Sequence, residues 1–268
     1  EFLVSDAGVL KRVDYSYIKG ITQSSFLPNA QAVIINGNMA VAQRSTSATG
    51  QTSGGYYACD RYNINIYNLG TWTIAQESLT SGDAYADGFS KALRLDCTTA
   101  DASPAASDQL TVQHRFEGQN LQVFKKGTAN AEKYTLAFWV KSNKTGAASV
   151  NLRDEENSRN VGGTYTISVT NTWEYKVVNF AADTSGALTA DNANRLLIEW
   201  FLNSGTNNTT GTMPTAWETI DNTDRNTNNL GVGGSTDDDW AITGVSLEVG
   251  EYTSSTIPPF QHEFYGDN

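Results

Sequence analysis

Cysteine and histidine are scarce in this sequence, with two of each among 268 residues. The two cysteines form neither a C-x-x-C pair nor a metal-ligand pattern. No H-E-x-x-H, G-x-S-x-G or P-loop motif occurs, and no G-x-G-x-x-G follows a strand pattern. These absences argue against catalysis by a histidine-activated nucleophile.

Basic residues are also in the minority. The chain has 18 Lys and Arg against 29 Asp and Glu, which gives a net charge of −11. Such a chain repels phosphate, so nucleic acid and anionic membrane surfaces are excluded as expected partners. No apolar run approaches the ~20 residues of a membrane helix, and we expect no membrane insertion. The N-terminal residues lack a basic start followed by an apolar block, so we predict no signal peptide.

Charge of either sign is sparse. Charged residues make up 18% of the chain, below the ~25% typical of soluble domains, and Thr, Ser, Asn and Gly take their place. Aromatic residues reach 10%, which is too high for a disordered chain. Helical periodicity is nearly absent. We therefore predict a folded β-type chain with one β domain and a short appendage.

Alternating apolar and polar residues recur between loops rich in Asn, Gly, Ser and Thr. KYTLAFWVKS places Tyr134 and Phe138 on one face and Trp139 on the other. RLLIEWFLN is apolar on both faces, which is typical of a central strand that is buried on two sides. In WAITGVSLEVG the alternation changes phase at Gly244, which predicts a β-bulge or a sheet-crossing kink. About ten such strands predict a two-sheet antiparallel sandwich.

The cysteines and histidines fit this sandwich as structural residues. Cys97 and His114 lie in phase with the apolar residues of their strands, which predicts a buried thiol and a core histidine with a hydrogen-bond partner. A Cys59–Cys97 disulfide stays open as the alternative, because the sequence does not give the separation of the two residues. His262 is predicted on a surface tail. The segment 203–239 is too long for an ordinary connection, so it is a functional loop or contains short strands.

Six phrases occur in a fixed order along the chain: IINGNMAVAQRSTS (34–47), YYACDRYNI (56–64), LTVQHRFEGQNL (110–121), YTLAFWVKSNKTGAASVNLRD (134–154), TWEYKVVNFAADTSG (172–186) and WAITGVSLEVGEYTSSTIPPFQH (240–262). Together they resemble the C-terminal, carbohydrate-binding-module-like jelly-roll domain of bacteriophage tail fibre and receptor-binding proteins. The resemblance covers roughly residues 32–262. Ala42 and Ser246 depart from it, where the family usually has Trp and Gln.

The resemblance implies an all-β fold, an antiparallel two-sheet jelly-roll β-sandwich over residues 29–268. Residues 1–28 are then a short extended lead-in. Part of this segment, VSDAGVLKRVDYSYI (4–18), resembles the connector to the fibre shaft. The alternation of Val13, Tyr15 and Tyr17, in a segment too short to form its own core, predicts a trimer contact.

The same resemblance implies a function. We expect a homotrimeric tail fibre tip, assembled in the host cytoplasm and carried on the virion with the rest of the tail fibre or tail. It would bind host cell-surface polysaccharide or lipopolysaccharide without enzymatic activity and without a required cofactor. Two alternatives stay open. One is a purely structural trimeric fibre knob or virion decoration protein, and the other is a polysaccharide depolymerase that uses two carboxylates ~5–10 Å apart.

Sugar recognition needs aromatic faces that stack on C–H-rich sugar faces, and Asp, Asn and Arg that bond hydroxyl groups. The loops WETIDNTDR and RDEENSR supply such groups, and we expect them at the end of the sandwich away from residue 28. Trp217 is also open to the alternative of strand packing. The predicted ligand-binding residues are Trp217, Asp221, Asn222, Asp224, Arg225, Asp154, Asn157 and Arg159.

An acidic cluster precedes the last predicted strand. Asp237, Asp238 and Asp239 offer the hard oxygen ligands that suit Ca²⁺, so a structural calcium ion is a further prediction. The sequence lacks the D-x-[DN]-x-[DN]-G loop of an EF-hand, and the alternative is a solvated acidic turn.

Overall fold

The computed structural model describes Phe2–Asp6, Val9–Val13 and the continuous stretch 32–262. Strands dominate these residues. The described helices are α1, Asp83–Ala86, and three short 3₁₀ helices, Gly118–Phe124, Thr206–Asn208 and Asn222–Asp224. The described strands are β1 Phe2–Asp6, β2 Val9–Val13, β3 Ser47–Gln51, β4 Tyr62–Tyr67, β5 Thr71–Ser78, β6 Lys91–Thr99, β7 Gln109–Glu117, β8 Tyr134–Ser142, β9 Gly146–Asp154, β10 Arg159–Ile167, β11 Glu174–Phe180, β12 Asn194–Ser204, β13 Glu218–Thr219 and β14 Asp239–Val249.

Two six-stranded sheets face one another. One has the order β13-β10-β9-β12-β7-β4, and the other has the order β11-β8-β14-β6-β5-β3. Neighbouring strands pair antiparallel throughout the two sheets. This arrangement confirms the predicted antiparallel two-sheet sandwich. Within the described ranges, no helix has the length and apolar character required to cross a membrane.

The core lies between the sheets and is rich in aromatic side chains. Trp72, Trp200 and Trp240 are completely buried, as are Tyr134 and Phe138 of β8. The alternation of β8 therefore faces the core as predicted. Burying a side chain of this size removes about 150–250 Å² of surface from water, so each of these aromatics contributes strongly to hydrophobic stabilisation.

The central strand β12 is buried on both faces, as its sequence predicted. Ile198 and Trp200 face the inter-sheet core, and Glu199 and Phe201 on the other face are also buried. The segment 205–232 folds back over that outer face, where the Arg225 guanidinium lies 5.2 Å from the centre of the Phe201 ring. This segment contains only the two-residue strand β13 and two 3₁₀ helices, so it is mainly a covering layer.

The phase change in β14 is a β-bulge. Its register against β8 shifts between Thr243 and Ser246, and Gly244 adopts a φ of 61°. A Cβ atom at Gly244 would lie 2.7 Å from the Phe89 ring, so both the backbone and the packing require glycine here. The extra residue lets Ile242 and Val245 both face the interior, as the sequence pattern predicted.

At the N-terminus, β1 and β2 pair as an antiparallel hairpin, with Phe2 opposite Val13. The chain therefore folds back on itself here, whereas the sequence predicted an extended segment. Tyr15 and Tyr17, the other two residues of the predicted trimer contact, lie outside the described residues. The predicted division into 1–28 and 29–268 stays a prediction.

Both cysteines are buried and free, so the disulfide alternative is wrong. Burial raises the pKa of the Cys59 thiol to about 12 and that of Cys97 to about 11. His114 is buried, and its Nε2 lies 3.2 Å from the carbonyl oxygen of Ile35, which confirms the predicted core histidine. Burial lowers the pKa of His114 to about 4, despite the bond to Ile35.

Candidate functional site

The predicted loop after β9 is built around a buried carboxylate. Asp154 is fully buried and forms an ion pair with the equally buried Lys126. Its Oδ1 accepts hydrogen bonds from the backbone N–H groups of Glu156 and Asn157, both at 2.9 Å, and its Oδ2 accepts from Asn157 Nδ2 at 2.9 Å. The Asp154 carboxylate therefore holds the loop in shape from inside the protein.

Arg159 extends this arrangement to a second aspartate. It donates two hydrogen bonds to Asp183, at 2.9 and 3.0 Å, and one to the Trp217 carbonyl at 3.0 Å. Lys126 Nζ also lies 2.9 Å from Asp183. Burial by itself would raise the pKa of Asp183, but the hydrogen bonds from Arg159 and Lys126 outweigh it and hold that pKa below its usual range. We call Lys126, Asp154, Arg159 and Asp183 the buried ion network.

Trp217 belongs to the core. Its side chain is 8% exposed and joins the main hydrophobic cluster. Its Nε1 donates to the Ala181 carbonyl at 2.8 Å, and Lys126 Nζ lies 4.9 Å from its ring centre. The ring has no free face for a sugar, so its prediction as a stacking platform is wrong and the alternative of packing is correct.

Arg225 is also buried, in an ion pair with Glu199 of β12. A second hydrogen bond, at 3.0 Å, runs from Arg225 to Asn222 Oδ1. The exposed Asp221 accepts a bond from Thr223 N at 2.9 Å, which caps the 3₁₀ helix, and Asp224 accepts from Thr212 N at 2.7 Å. The partners of these side chains are groups of the same chain. The contacts therefore hold the covering layer in place.

Asn222 and Arg225 also line a small cleft of about 310 Å³, beside the exposed Tyr67. Tyr67 is the last residue of β4 and pairs with Gln109, the first residue of β7. This cleft therefore lies at the end of the sandwich where β4 finishes and β7 begins. We call it the Tyr67 cleft.

The 153–160 loop lies at the other end. Glu117, which ends β7, and Asp154, which ends β9, both lie beside the start of β12. Ala32, near the entry of the chain into the sandwich, lines a groove with Val123 in the 3₁₀ helix that directly follows β7. The structure therefore places this loop at the same end as the entering chain, contrary to the prediction.

The aspartates before β14 do not converge. Asp238 Oδ2 accepts from the backbone N–H groups of Gly233 and Ser235, at 2.9 and 3.1 Å, and Asp239 Oδ2 accepts from Arg94 at 3.1 Å. Asp237 is exposed. Among the described residues, no group of three or more His, Cys, Asp or Glu side chains could hold a metal ion. The described residues therefore give no support to the predicted calcium site.

A larger cleft, of about 770 Å³, opens beside β4 and β7 and was not predicted from the sequence. We call it the arginine cleft, because it contains three of the nine arginines of the chain. Its lining residues are Gln43, Arg44, Tyr56, Asp60, Arg61, Arg115, Phe116, Glu117, Asn192 and Asn194.

Three residues form one wall of this cleft. The Tyr56 side chain is 40% exposed, and the Arg44 guanidinium carbon lies 5.5 Å from its ring centre. Arg44 also lies 3.4 Å from Asp60 Oδ1, an ion pair in which the arginine is exposed. The Asp60 oxygen accepts from Gln43 N at 3.2 Å, so the carboxylate holds this wall in place. Arg44 lies over one face of the Tyr56 ring, and the rest of the ring is partly open to solvent.

The arginines of the cleft come from distant parts of the sequence. Arg61 precedes β4 and adopts a φ of 71°, an uncommon conformation for a residue with a side chain. Arg115 lies in β7, next to β4 in the sheet, and Asn194 begins β12 on the other side of β7. The signal available in the sequence was the pair of phrases AQRSTS and ACDRYN, which contain Arg44 and Arg61. Nothing in the sequence placed Arg115 beside them.

No protein-family model matches the chain, and no curated protein matches it. Among solved structures, it is similar to the enzymatically active domain of tailspike protein 4 from bacteriophage CBA120, with 14% identity and a TM-score of 0.39, over 81% of this chain but only 21% of the tailspike chain. A protein from Bacteroides thetaiotaomicron that has been proposed to bind sugar gives 16% identity and a TM-score of 0.43, over 82% of this chain and 100% of its own. A carbohydrate-binding module in complex with β-1,4-galactotriose gives 7% identity and a TM-score of 0.33, over 82% and 99%. At these TM-scores the similarity identifies neither a family nor a ligand for this chain.

Proposed function

We propose that this chain is a non-enzymatic glycan-binding domain of a bacteriophage tail fibre, and that the arginine cleft holds the glycan. The observation that carries this proposal is the exposed Tyr56 ring beside polar groups that face open space. An aromatic ring can stack on the C–H-rich face of a sugar. Arginine donors and carboxylate or amide oxygens can bond its hydroxyl groups.

Several residues that line the cleft belong to paired strands of one sheet. Arg115 and Glu117 belong to β7, which is paired with both β4 and β12. Phe116, between them in sequence, points inward and packs against His114, with ring centres 4.7 Å apart. Binding groups on a rigid scaffold lose little conformational freedom when a ligand arrives, which favours affinity.

A matched pair of exposed tyrosines tests the site. Tyr56→Ala should weaken binding to host cell-surface polysaccharide or lipopolysaccharide by roughly 10–100-fold, the effect of losing one aromatic anchor. Tyr85→Ala, which removes an exposed tyrosine from α1, should leave binding unchanged. Both variants should keep the parent melting temperature. Unchanged binding in Tyr56→Ala would refute the proposed site, and a loss in Tyr67→Ala instead would move it to the Tyr67 cleft.

The assembly is part of the same proposal. We infer a homotrimer, joined to the rest of the tail fibre or tail and carried on the virion, and the sequence resemblance supports this inference. Sedimentation of the purified chain should give three times the monomer mass. Deletion of residues 1–28 should loosen the trimer and leave the sandwich folded. A monomeric parent chain would reduce the proposal to a glycan-binding domain without a fibre context.

The absence of enzymatic activity is also part of the proposal. Incubation with host polysaccharide should release no reducing ends. Asp60 and Glu117 are the two carboxylates of the arginine cleft. Release that stops in Asp60→Asn or Glu117→Gln would replace the proposal with a depolymerase. A stable trimer that binds no host glycan would favour the structural fibre knob.

A further inference from the structure

The charge of the arginine cleft is opposite in sign to that of the chain. The whole chain has a net charge of −11, whereas the three arginines and two carboxylates of the cleft sum to a formal charge of +1. A positive cleft in an acidic protein attracts anionic ligands. The arginine cleft therefore presents a net positive charge, supplied by three guanidinium groups, although the chain as a whole is acidic.

Within the described residues, two of the three arginines have no carboxylate partner. Asp60 is paired with Arg44. Arg115 donates only to the neutral Gln113 Oε1, at 3.0 Å. Arg61 forms no hydrogen bond or ion pair within the part of the chain that the structure describes. The remaining carboxylate, Glu117, accepts a hydrogen bond from Gln119 at 2.7 Å. Two guanidinium groups are thus left with unused donors.

Two further observations point to a ligand in the same cleft. Asn194 Oδ1 is buried, and it has no hydrogen-bond partner among the described residues. A buried acceptor of this kind costs free energy until a donor arrives, and a sugar hydroxyl is such a donor. Arg61 is held at a φ of 71°, and backbone conformations of this kind cluster at binding sites.

We infer that the glycan bound in the arginine cleft is acidic, and that Arg61 and Arg115 bind its carboxylate or phosphate group; this inference rests on the proposed function. A guanidinium group presents parallel N–H donors that match either anion. A small rotation of the Asn194 side chain brings its amide oxygen to a hydroxyl of the same sugar, and Tyr56 stacks on the sugar ring. An isolated anion would satisfy the arginines and leave both Asn194 and Tyr56 unused.

The test uses the full chain on a glycan array that pairs acidic sugars with their neutral counterparts. The array carries uronic acid glycans together with their carboxyl-reduced forms, and phosphorylated glycans together with their dephosphorylated forms. The parent chain should prefer the acidic member by about tenfold or more, because hydrogen bonds to charged groups are the strong ones. The preference should weaken as the salt concentration rises. The type of acidic pair that binds identifies the anion as carboxylate or phosphate.

Variants separate this inference from the proposed function. Arg61→Gln combined with Arg115→Gln should abolish the acidic preference and leave residual binding of neutral members. Lys125→Gln removes an exposed cation outside the cleft and should change nothing. Tyr56→Ala should weaken acidic and neutral binding alike. Equal binding of both members, binding of neutral members alone or no binding overturns the inference. Neutral binding that depends on Tyr56 would leave the proposed function standing, whereas sugar binding independent of Tyr56 would refute the proposed function.

Discussion

The buried ion network and the arginine cleft both combine basic side chains with carboxylates, and both lie at the same end of the sandwich. β12 begins between them, with Asn194 beside Glu117 on one side and Leu196 beside Asp154 on the other. In the network, the charged groups of Lys126 and Asp154 are almost entirely removed from solvent and face opposite charges of the protein. In the cleft, Arg61 and Arg115 are exposed. Residue type therefore does not determine availability to a ligand, because the fold decides which polar groups already have partners.

This difference has an energetic consequence. A substitution in the network leaves a buried charge without its partner, which lowers the free energy of unfolding. A substitution of the exposed Arg61 or Arg115 in the cleft removes a solvated group, so folding is little affected and the main change is in binding. Measurements of stability and of binding should therefore divide the two regions cleanly.

The strongest way to break the comparison is to remove the central cation of the network. Lys126→Met should lower the free energy of unfolding by about 3–5 kcal/mol, because Asp154 and Asp183 are left buried with less compensation. Lys125→Met, one residue earlier and exposed, should change it by less than about 1 kcal/mol. Urea unfolding of both variants measures the difference. Similar stabilities would mean that the network contributes little to folding.

Trp217→Ala tests the tryptophan that the sequence offered as a ligand residue. We expect a loss of about 3–4 kcal/mol in the free energy of unfolding, since the ring is buried in the core. Glycan binding by the fraction that remains folded should match that of the parent. Calorimetry and binding at low temperature separate the two effects. Binding lost at an unchanged melting temperature would restore Trp217 to the ligand site.

His114, which packs against Phe116 on the inward face of β7, gives a pH dependence of stability. Its pKa is lowered from 6.5 to about 4 in the folded chain, so the unfolded chain takes up a proton first as the pH falls. Stability from this residue is present above pH ~6.5 and is lost towards pH ~4, by roughly 3 kcal/mol. His114→Gln keeps a donor for the Ile35 carbonyl and removes the titration. Urea unfolding at several pH values in this range gives the free energy of unfolding. That free energy should fall less steeply with decreasing pH in His114→Gln than in the parent.

Substitution of the cleft arginines should have the smallest effect on stability, which sharpens the comparison between the cleft and the network. Arg61→Gly should change the free energy of unfolding by less than about 0.5 kcal/mol, because relief of the positive φ offsets the added freedom of the unfolded chain. Arg115→Gly, in the extended β7, should lower it by about 0.5–1 kcal/mol. Both variants should weaken binding of acidic glycans. A large loss of stability in Arg61→Gly would show that this arginine supports the fold.

The fold was predictable to a large extent because its signals are local. The alternation of β8, the doubly apolar β12 and the phase change at Gly244 are patterns of a few residues, and the structure places all three as predicted. The candidate site was not predictable in the same way. The structure does bring together Asp154, Asn157, Arg159 and Trp217. Their partners Lys126 and Asp183 are distant in sequence, so nothing local showed that the polar groups of the predicted residues would already be bonded within the protein.

The sequence by itself determined that this chain forms strands, which faces of them are buried and where one strand must bulge, since side chains alternate across a strand whatever surrounds it. Only the tertiary structure decided which polar residues are open to a ligand. Antiparallel pairing of β4, β7 and β12 brings Arg61, Arg115 and Asn194 to one edge, although more than a hundred positions separate the first from the last. A polar group is free or committed according to its neighbours in space, and strand pairing over such distances sets those neighbours.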